Sequence, residues 1–371
     1  MIRLLFVFGT RPEAIKLCPV ILHLQSLPEF DVRVCVTAQH RSMLDQVLTV
    51  FGVQPQHDLD VMRQGQTLSH TAARIVSALE PVLAAEKPEL VIVQGDTTTT
   101  FCGALAAFYH QIPIGHVEAG LRTGDLTQPF PEEMNRVLTG KLATLHFAAT
   151  RGAADNLCRE GVPQSRIWIT GNTGIDAVLQ VRDRLQSGEL KGGDWRDLDP
   201  RKKLIVVTAH RRESFGPAFE SICRGLLRLA NRGDVQLVYP VHRNPHVMDP
   251  VHRYLAGHPA IRLIEPLDYV PFVDLMRRAY FLITDSGGIQ EEGPSLGKPV
   301  LVMRDKTERP EAVEAGTVRL VGPQEDRIYE AAAELLESQK IFTRMTLVHN
   351  PYGDGQASPR IASAIHSYFN S

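Results

Sequence analysis

An α/β fold built from two parallel sheets, each covered by helices, is what this 371-residue chain predicts. The first indication is a series of short, almost wholly apolar runs such as LLFVF, LVIV, LIVV and FLIT. Strands buried on both faces read this way. The second is that these runs alternate with helical stretches, the pattern of a parallel sheet with crossover helices. The third is where the polar residues fall. Arg11, Glu13 and Lys16 follow the first run, and Asp96 follows LVIVQG. Glu118 and Arg122 follow IPIGHV, His210 to Glu213 follow LIVVTA, and Asp285 and Ser286 follow FLIT. Open α/β sheets bind ligands beyond the carboxyl ends of their strands. Two such sets predict two sheets facing one cleft, with an anionic ligand between them. The length also favours two domains over one.

The elements follow in order. Residues 2–8 read as a strand, Gly9 and Pro12 as a turn, and AIKLCPVILHLQ as a helix. A strand over 31–39, a helix over SMLDQVLTVFG and an amphipathic helix over 70–86 come next. A buried strand at 90–95, an Ala-rich helix at 100–111, a strand at 112–118 and a helix at 134–145 continue the alternation. LHFAAT and RIWITGN add two strands. Residues 182–203 are charged and Gly-containing, and read as a surface linker. The second unit has strands at 203–210, 235–242, 261–266, 280–286, 299–304 and 317–322, with helices at 217–230 and 326–339. A Gly-rich turn and a terminal helix end the chain. The resulting division is 1–175, 176–355 and a C-terminal segment, 356–371.

Composition excludes several classes. Apolar residues make up 43% and charged residues 22%, ordinary globular values. A net charge of −2 and 6% aromatics, without a basic stripe, give nucleic acid no platform. No run reaches the roughly 18 apolar residues of a membrane helix. The chain opens on a strand without a basic leader, so a cytoplasmic protein is expected. Cys18, Cys35, Cys102, Cys158 and Cys223 form no CxxC pair and read as reduced core or near-core residues. No HExxH or cysteine-rich spacing points to a metal, and no cofactor is expected.

TDSGGIQEE carries the strongest phosphate signal. Ser286, Gly287 and Gly288 turn a strand into a helix, and free amides at a helix start suit phosphate oxygens. The same turn also fits a plain helix cap by Ser286. Glu291 and Glu292 lie one turn inside, where a carboxylate accepts from ribose hydroxyls or merely suits the helix start. FGTRPEAIK is neither a Walker loop nor GxGxxG, yet Arg11 and Lys16 are placed for an anion or for solvent. Asp96, Glu118 and Glu132 are three carboxylates at or near strand ends, and neighbouring carboxylates push one pKa upward for acid–base work. His210 and His242 each follow a strand, and Arg309 and Glu311 lie in a polar loop after another. Phosphate binding, proton transfer and internal pairing all stay open for these.

The assembled motifs resemble the non-hydrolysing UDP-N-acetylglucosamine 2-epimerases over nearly the whole chain. FGTRPEAIK, VTAQHRSMLDQ, GDTTTT, GHVEAGLRTGD, PFPEEMNR, ITGNTGIDA, HRRESFG, YPVHRNP, TDSGGIQEE, PVLVMRDKTERPEA and HNPYGDGQAS carry the likeness, in this order. It implies two Rossmann-like domains of the glycosyltransferase B type, a terminal helix packed back on the first domain, and a cytoplasmic homodimer that closes on its ligand. It implies reversible inversion at C2, giving UDP-N-acetylmannosamine for cell-surface polysaccharides, by elimination of UDP to 2-acetamidoglucal and re-addition. Asp96, Glu118 and Glu132 would then be the acid–base groups, and His210 would stabilise departing UDP. Arg11, Lys16, Arg136, His242, Ser286, Gly287, Gly288, Glu292 and Arg309 would serve substrate or UDP. Some members use a second UDP-N-acetylglucosamine as activator, which Gln39, Gln46, Arg212 and Arg136 would contact. Ala209 departs from the glycine frequent before the family's HRRE histidine, and Gln94 from a histidine in some relatives. A C2 epimerase of a related UDP sugar, a hydrolysing epimerase, a retaining glycosyltransferase and a non-catalytic nucleotide-sugar sensor are the competing readings.

Overall fold

The protein is seen in a computed structural model that describes residues 1–37, 41–61, 63, 65–347 and 350–370. Contacts divide the chain into two compact units, Met1–Ala177 with Gly353–Ser371, and Val178–Tyr352. Each is a parallel sheet with alternating helices, as expected of the two halves of a glycosyltransferase B-type fold.

In the first unit the order is β1 (Ile2–Phe8), α1 (Arg11–Gln25), β2 (Phe30–Val36), α2 (Arg41–Phe51), β3 (His57–Asp58), α3 (Leu68–Glu86) and β4 (Leu90–Gln94). It continues with α4 (Thr98–Tyr109), β5 (Ile114–Ala119), α5 (Glu132–Leu142), β6 (Leu145–Ala148), α6 (Arg151–Arg159), β7 (Ile167–Ile169) and the start of α7 (Thr173–Gln186). The sheet runs β3-β2-β1-β4-β5-β6-β7. Leu4 to Phe8 and Leu90 to Val93 are buried, because helices cover both faces of these central strands. α15 (Ala357–Phe369) closes the unit by packing on α1. Its first turn is held by Asp176, whose carboxylate accepts from the amides of Ala357 (3.2 Å) and Ser358 (2.8 Å) and from the Ser358 hydroxyl (2.7 Å).

The second unit holds β8 (Lys203–Thr208), α8 (Pro217–Ala230), β9 (Val235–Pro240), α9 (Pro245–Leu255), β10 (Ile261–Ile264), α10 (Tyr269–Arg278) and β11 (Phe281–Thr284). α11 (Gly287–Ser295), β12 (Val300–Val302), α12 (Pro310–Glu314), β13 (Val318–Leu320), α13 (Glu325–Glu337) and α14 (Gln339–Leu347) follow. Its sheet runs β10-β9-β8-β11-β12-β13. The core on one face joins Ile205, Val207 and Phe281 of the strands to Phe219, Leu226 and Leu335 of the helices.

The structure departs from the sequence expectation at the presumed linker. α7 continues to Gln186, since Ile175, Val178, Val181 and Leu185 form a buried 3–3–4 stripe that begins upstream of the charged segment. Only the stretch after it is irregular. α6, α9, α10, α12 and α14 were also not anticipated. α9 hides behind Pro245 and Pro250, although Val247, Val251 and Leu255 are spaced as one helical face. Four of the cysteines are buried thiols and Cys158 is exposed, so the near-core reading fails for Cys158. Among the described residues no helix is long and apolar enough to cross a membrane, and no cluster of His, Cys, Asp or Glu is arranged to hold a metal.

One pair of core residues makes stability depend on acid. His116 and His146 face each other across β5 and β6, both buried. Burial holds the His116 ring at a pKa of about 3, against its hydrogen bond to the Gly95 carbonyl (2.7 Å), and His146 lowers it further. Burial likewise holds His146 at about 4. The unfolded rings take up protons near the ordinary value of 6.5 while the folded ones do not. Stability is therefore fully present above that value and is lost as pH falls toward the folded pKa values. Each ring contributes a slope of about 1.4 kcal/mol per pH unit. Urea unfolding between about pH 6.5 and 4 should show it, and His116→Asn should reduce the slope by about one such increment.

Candidate active site

Each sheet reverses its strand order once, between β1 and β4 and between β8 and β11. A crevice opens beyond the strand ends at such a reversal. Arg11, Lys16 and Asp96 follow β1 and β4, and His210 and Ser286 to Gly288 follow β8 and β11, at these two places.

In the first unit β1 ends at Phe8 and the chain passes Gly9. A Cβ there would stand 2.0 Å from Thr37 Oγ1, so the approach requires glycine. Thr10 caps α1, and Glu13 closes the capping box. Glu13 also reaches across the reversal. One oxygen accepts from the amides of Gly9 (3.1 Å) and Thr10 (2.8 Å). The other accepts from the hydroxyls of Thr97 (2.8 Å) and Thr100 (3.2 Å), at the start of α4. The residue is 1% exposed, and burial pushes its carboxyl above the usual range against the pull of those donors.

Lys16 lies one turn into α1, with its ammonium 2.5 Å from Glu118 Oε2. The side-chain amide of Gln94, at the end of β4, donates to the same oxygen. Glu118 sits where β5 slips its register with β6, and its φ of 63° is left-handed. Such a backbone costs a non-glycine residue about 1–2 kcal/mol. Asp96 stands at the end of β4, with Arg136 Nη2 2.6 Å from its Oδ2 and Asn135 donating to its carbonyl at 2.9 Å. Burial raises the Asp96 carboxyl pKa and Glu118 adds to the rise, while Arg136 and Lys16 oppose it. Arg136 is fixed in turn by buried Glu133 at 3.3 Å, which also accepts from the amides of Thr123 (2.9 Å) and Gly124 (3.1 Å). Two loop amides, Arg136 and Asp96 thus form one chain of contacts. Glu132, at the start of α5, and Arg11 are half-buried and make no hydrogen bond or ion pair with the described residues. Gln46 is exposed on α2, and Gln39 lies outside the described residues.

In the second unit Asp285 follows β11 and is fully buried. Its Oδ2 accepts from the amides of both His210 and Arg211, each at 2.7 Å, beyond the end of β8. Its Oδ1 lies 3.6 Å from His210 Nδ1, which favours the proton on that nitrogen. The His210 ring stacks on His242 with centroids 5.4 Å apart. Burial lowers the His210 pKa, Asp285 opposes this, and His242 and Arg211 reinforce it. His242 is exposed and accepts from the Asn244 amide through Nδ1 (3.1 Å). The methyl of Ala209 is buried in the core, and the Ala209 carbonyl accepts from Tyr239 (2.8 Å), so the extra carbon is accommodated.

Ser286 occupies the cap position of α11 without using its hydroxyl as a cap. Gly287 and Gly288 follow as the first helical residues. A Cβ on Gly287 would lie 2.5 Å from the Arg309 guanidinium, which packs over the turn. Glu291 holds Arg309 Nε, and Glu308 approaches it at 3.2 Å. Gln290 ties the helix to the following loop through Thr307 (2.7 Å). Glu292 is half-buried on α11, and Arg212 is exposed. The sequence places Glu13 and Asp285 among the polar residues at strand ends without a specific role, and it singles out Glu133, Gln290 and Asn135 not at all. The T-x-x-E spacing of Thr10 and Glu13 was readable as a capping box. Glu133, Gln290 and Asn135 had no comparable signal.

A family model described as UDP-N-acetylglucosamine 2-epimerase matches residues 22–366. This chain belongs to that family. A Yersinia pestis UDP-N-acetylglucosamine 2-epimerase is 56% identical over 371 residues, 99% of each chain. A Neisseria meningitidis UDP-GlcNAc 2-epimerase, solved bound to UDP-GlcNAc, matches with a TM-score of 0.91 and 46% identity over 99% of this chain and 100% of that one. An S. aureus MnaA–UDP co-structure matches with a TM-score of 0.88 and 48% identity over 100% and 97%.

The Glu13 arrangement sets a stability test within this family's scaffold. Glu13→Ala removes the acceptor of the Gly9 and Thr10 amides and of the Thr97 hydroxyl in a closed site, while the Thr100 hydroxyl keeps the Gln94 carbonyl, and should cost about 3 kcal/mol in urea unfolding. Glu13→Gln should recover part of that loss.

Proposed function

We propose that this protein interconverts UDP-N-acetylglucosamine and UDP-N-acetylmannosamine by inversion at C2. The observation that carries the reading is the convergence of Asp96 and Glu118 on Lys16, Gln94 and Arg136 at adjacent strand ends. A carboxyl raised by burial and by a neighbouring carboxylate is suited to both taking and returning a proton.

The reaction runs as elimination and re-addition. A carboxylate takes the C2 proton, the C–H electron pair becomes the C1–C2 double bond, and the C1–O bond breaks with its pair leaving on UDP. The product is 2-acetamidoglucal. Protonation of C2 from the opposite face and return of UDP to C1 complete the inversion. Asp96, Glu118 and Glu132 are the proton-transfer groups. Ser286, Gly287 and Gly288 hold the diphosphate at the start of α11, where amides point outward. Arg309 braces that turn, Glu292 takes the ribose hydroxyls, and Arg11 and His242 add contacts to UDP. His210 steadies the leaving diphosphate. The protein works as a homodimer, and a second UDP-N-acetylglucosamine acts as activator.

Incubation with UDP-N-acetylglucosamine in deuterated water should give both UDP sugars with deuterium at C2. Free N-acetylmannosamine with UDP, or no exchange in a sample that binds UDP, would overturn the reading. Asp96→Asn should lower turnover by more than about 100-fold while UDP affinity changes little. Parallel loss of both would remove Asp96 from proton transfer.

The lowered His210 pKa gives a separate expectation. The free ring is neutral near neutral pH, with its proton favoured on the Asp285 side. A diphosphate dianion at the other nitrogen would raise the pKa, so UDP binding takes up a proton. UDP affinity should therefore rise as pH falls from about 8 to 6. Calorimetry in buffers of different ionisation enthalpy should show the uptake, and His210→Gln should abolish it.

A further inference from the structure

The ends of the second sheet differ in kind. His210 and Asp285 stand beyond its carboxyl edge, whereas a cavity of about 580 Å³ opens at the opposite edge. It lies where β8 and β11 begin, against the irregular segment 195–202. β8 alone is six residues long, so about 20 Å of strand separates the two ends.

The lining is strongly cationic. Arg201, Lys202, Lys203, Arg278 and Lys298 border the cavity, and Asp199 is the one acid among its lining residues. Some of this charge is already answered. Arg201 pairs with Asp199 at 3.0 Å, and Arg278 shares Asp274 with Arg277 at 3.0 and 2.7 Å. The Lys203 ammonium donates to the Leu336 carbonyl at 2.8 Å and lies 4.6 Å from the centre of the Tyr280 ring. Lys298 is different. It is half-buried, and among the described residues no carboxylate, carbonyl or hydroxyl meets its ammonium. Burial lowers its pKa, and the nearby charge of Arg277 lowers it further. A half-buried ammonium among other cations gains from an anion beside it.

The aromatic walls limit what that anion is. Tyr280 stacks on Phe342 at 4.2 Å on one side and meets Lys203 on its ring. Trp195 donates its indole N–H to Asp274 at 2.8 Å, and the Arg262 guanidinium lies 5.5 Å from its ring centre. With these rings already engaged, a nucleobase gains little stacking here. We propose that this recess is a second anion site, selective for a small multivalent anion of the phosphate or diphosphate class, with Lys298 as its central contact.

The test uses the intact protein with UDP at saturation, so that the carboxyl-edge site is filled, and titrates pyrophosphate by calorimetry. Pyrophosphate should still bind, and Lys298→Gln should weaken it at least tenfold without changing the melting temperature by more than a few degrees or altering UDP affinity. A Lys202→Gln variant should weaken it less, because Lys202 lies near Asp199. Failure to bind at millimolar pyrophosphate, binding that UDP displaces, or equal binding by parent and Lys298→Gln would each overturn the proposal.

Discussion

Everything at the strand ends depends on a buried carboxylate that spans the reversal of each sheet. A reversal leaves two neighbouring strands whose connections depart in opposite directions, so no helix covers the crevice between their ends. Glu13 closes it in the first unit by joining the start of α1 to the start of α4. Asp285 does the same in the second by gripping two consecutive amides beyond β8. Both acids point into backbone and hydroxyl donors instead of solvent. They tie down the backbone at Gly9, Thr10, His210 and Arg211, and with it the side chains that this backbone carries.

The charged groups around those anchors are arranged in opposition. Lys16 and Gln94 press on one oxygen of Glu118, and Arg136 presses on Asp96 while being held by Glu133. Burial and the nearness of the two acids drive the Asp96 pKa up, and the two cations drive it down. The balance leaves the Asp96 carboxyl above the range of a solvated aspartate, with burial the largest cause. In the second unit a histidine is balanced in the same way, since burial lowers the His210 pKa while Asp285 opposes this and favours the proton on Nδ1.

Much of this is legible in the sequence. Apolar runs such as LLFVF and FLIT placed the central strands because both of their faces are covered. Strand ends placed Asp96, Glu118, His210 and Ser286, because parallel sheets collect function there. Less legible was whatever depends on contacts distant in sequence. The links from Glu13 to Thr97 and from Arg122 to Glu160 join residues 84 and 38 apart. No local pattern encodes such a pair. Helix α7 was missed because its apolar stripe straddles the boundary between an ordinary segment and a highly charged one, so that a window on either side sees only half of it.

The left-handed backbone of Glu118 places two kinds of selection at odds. A glycine or asparagine there would relax the turn, and a search for thermal tolerance would drift toward either. Each step in that direction removes the carboxylate that Lys16 and Gln94 have been placed to meet. Position 118 is therefore one where a library sorted only for folding would discard the shared partner of Lys16 and Gln94 unnoticed.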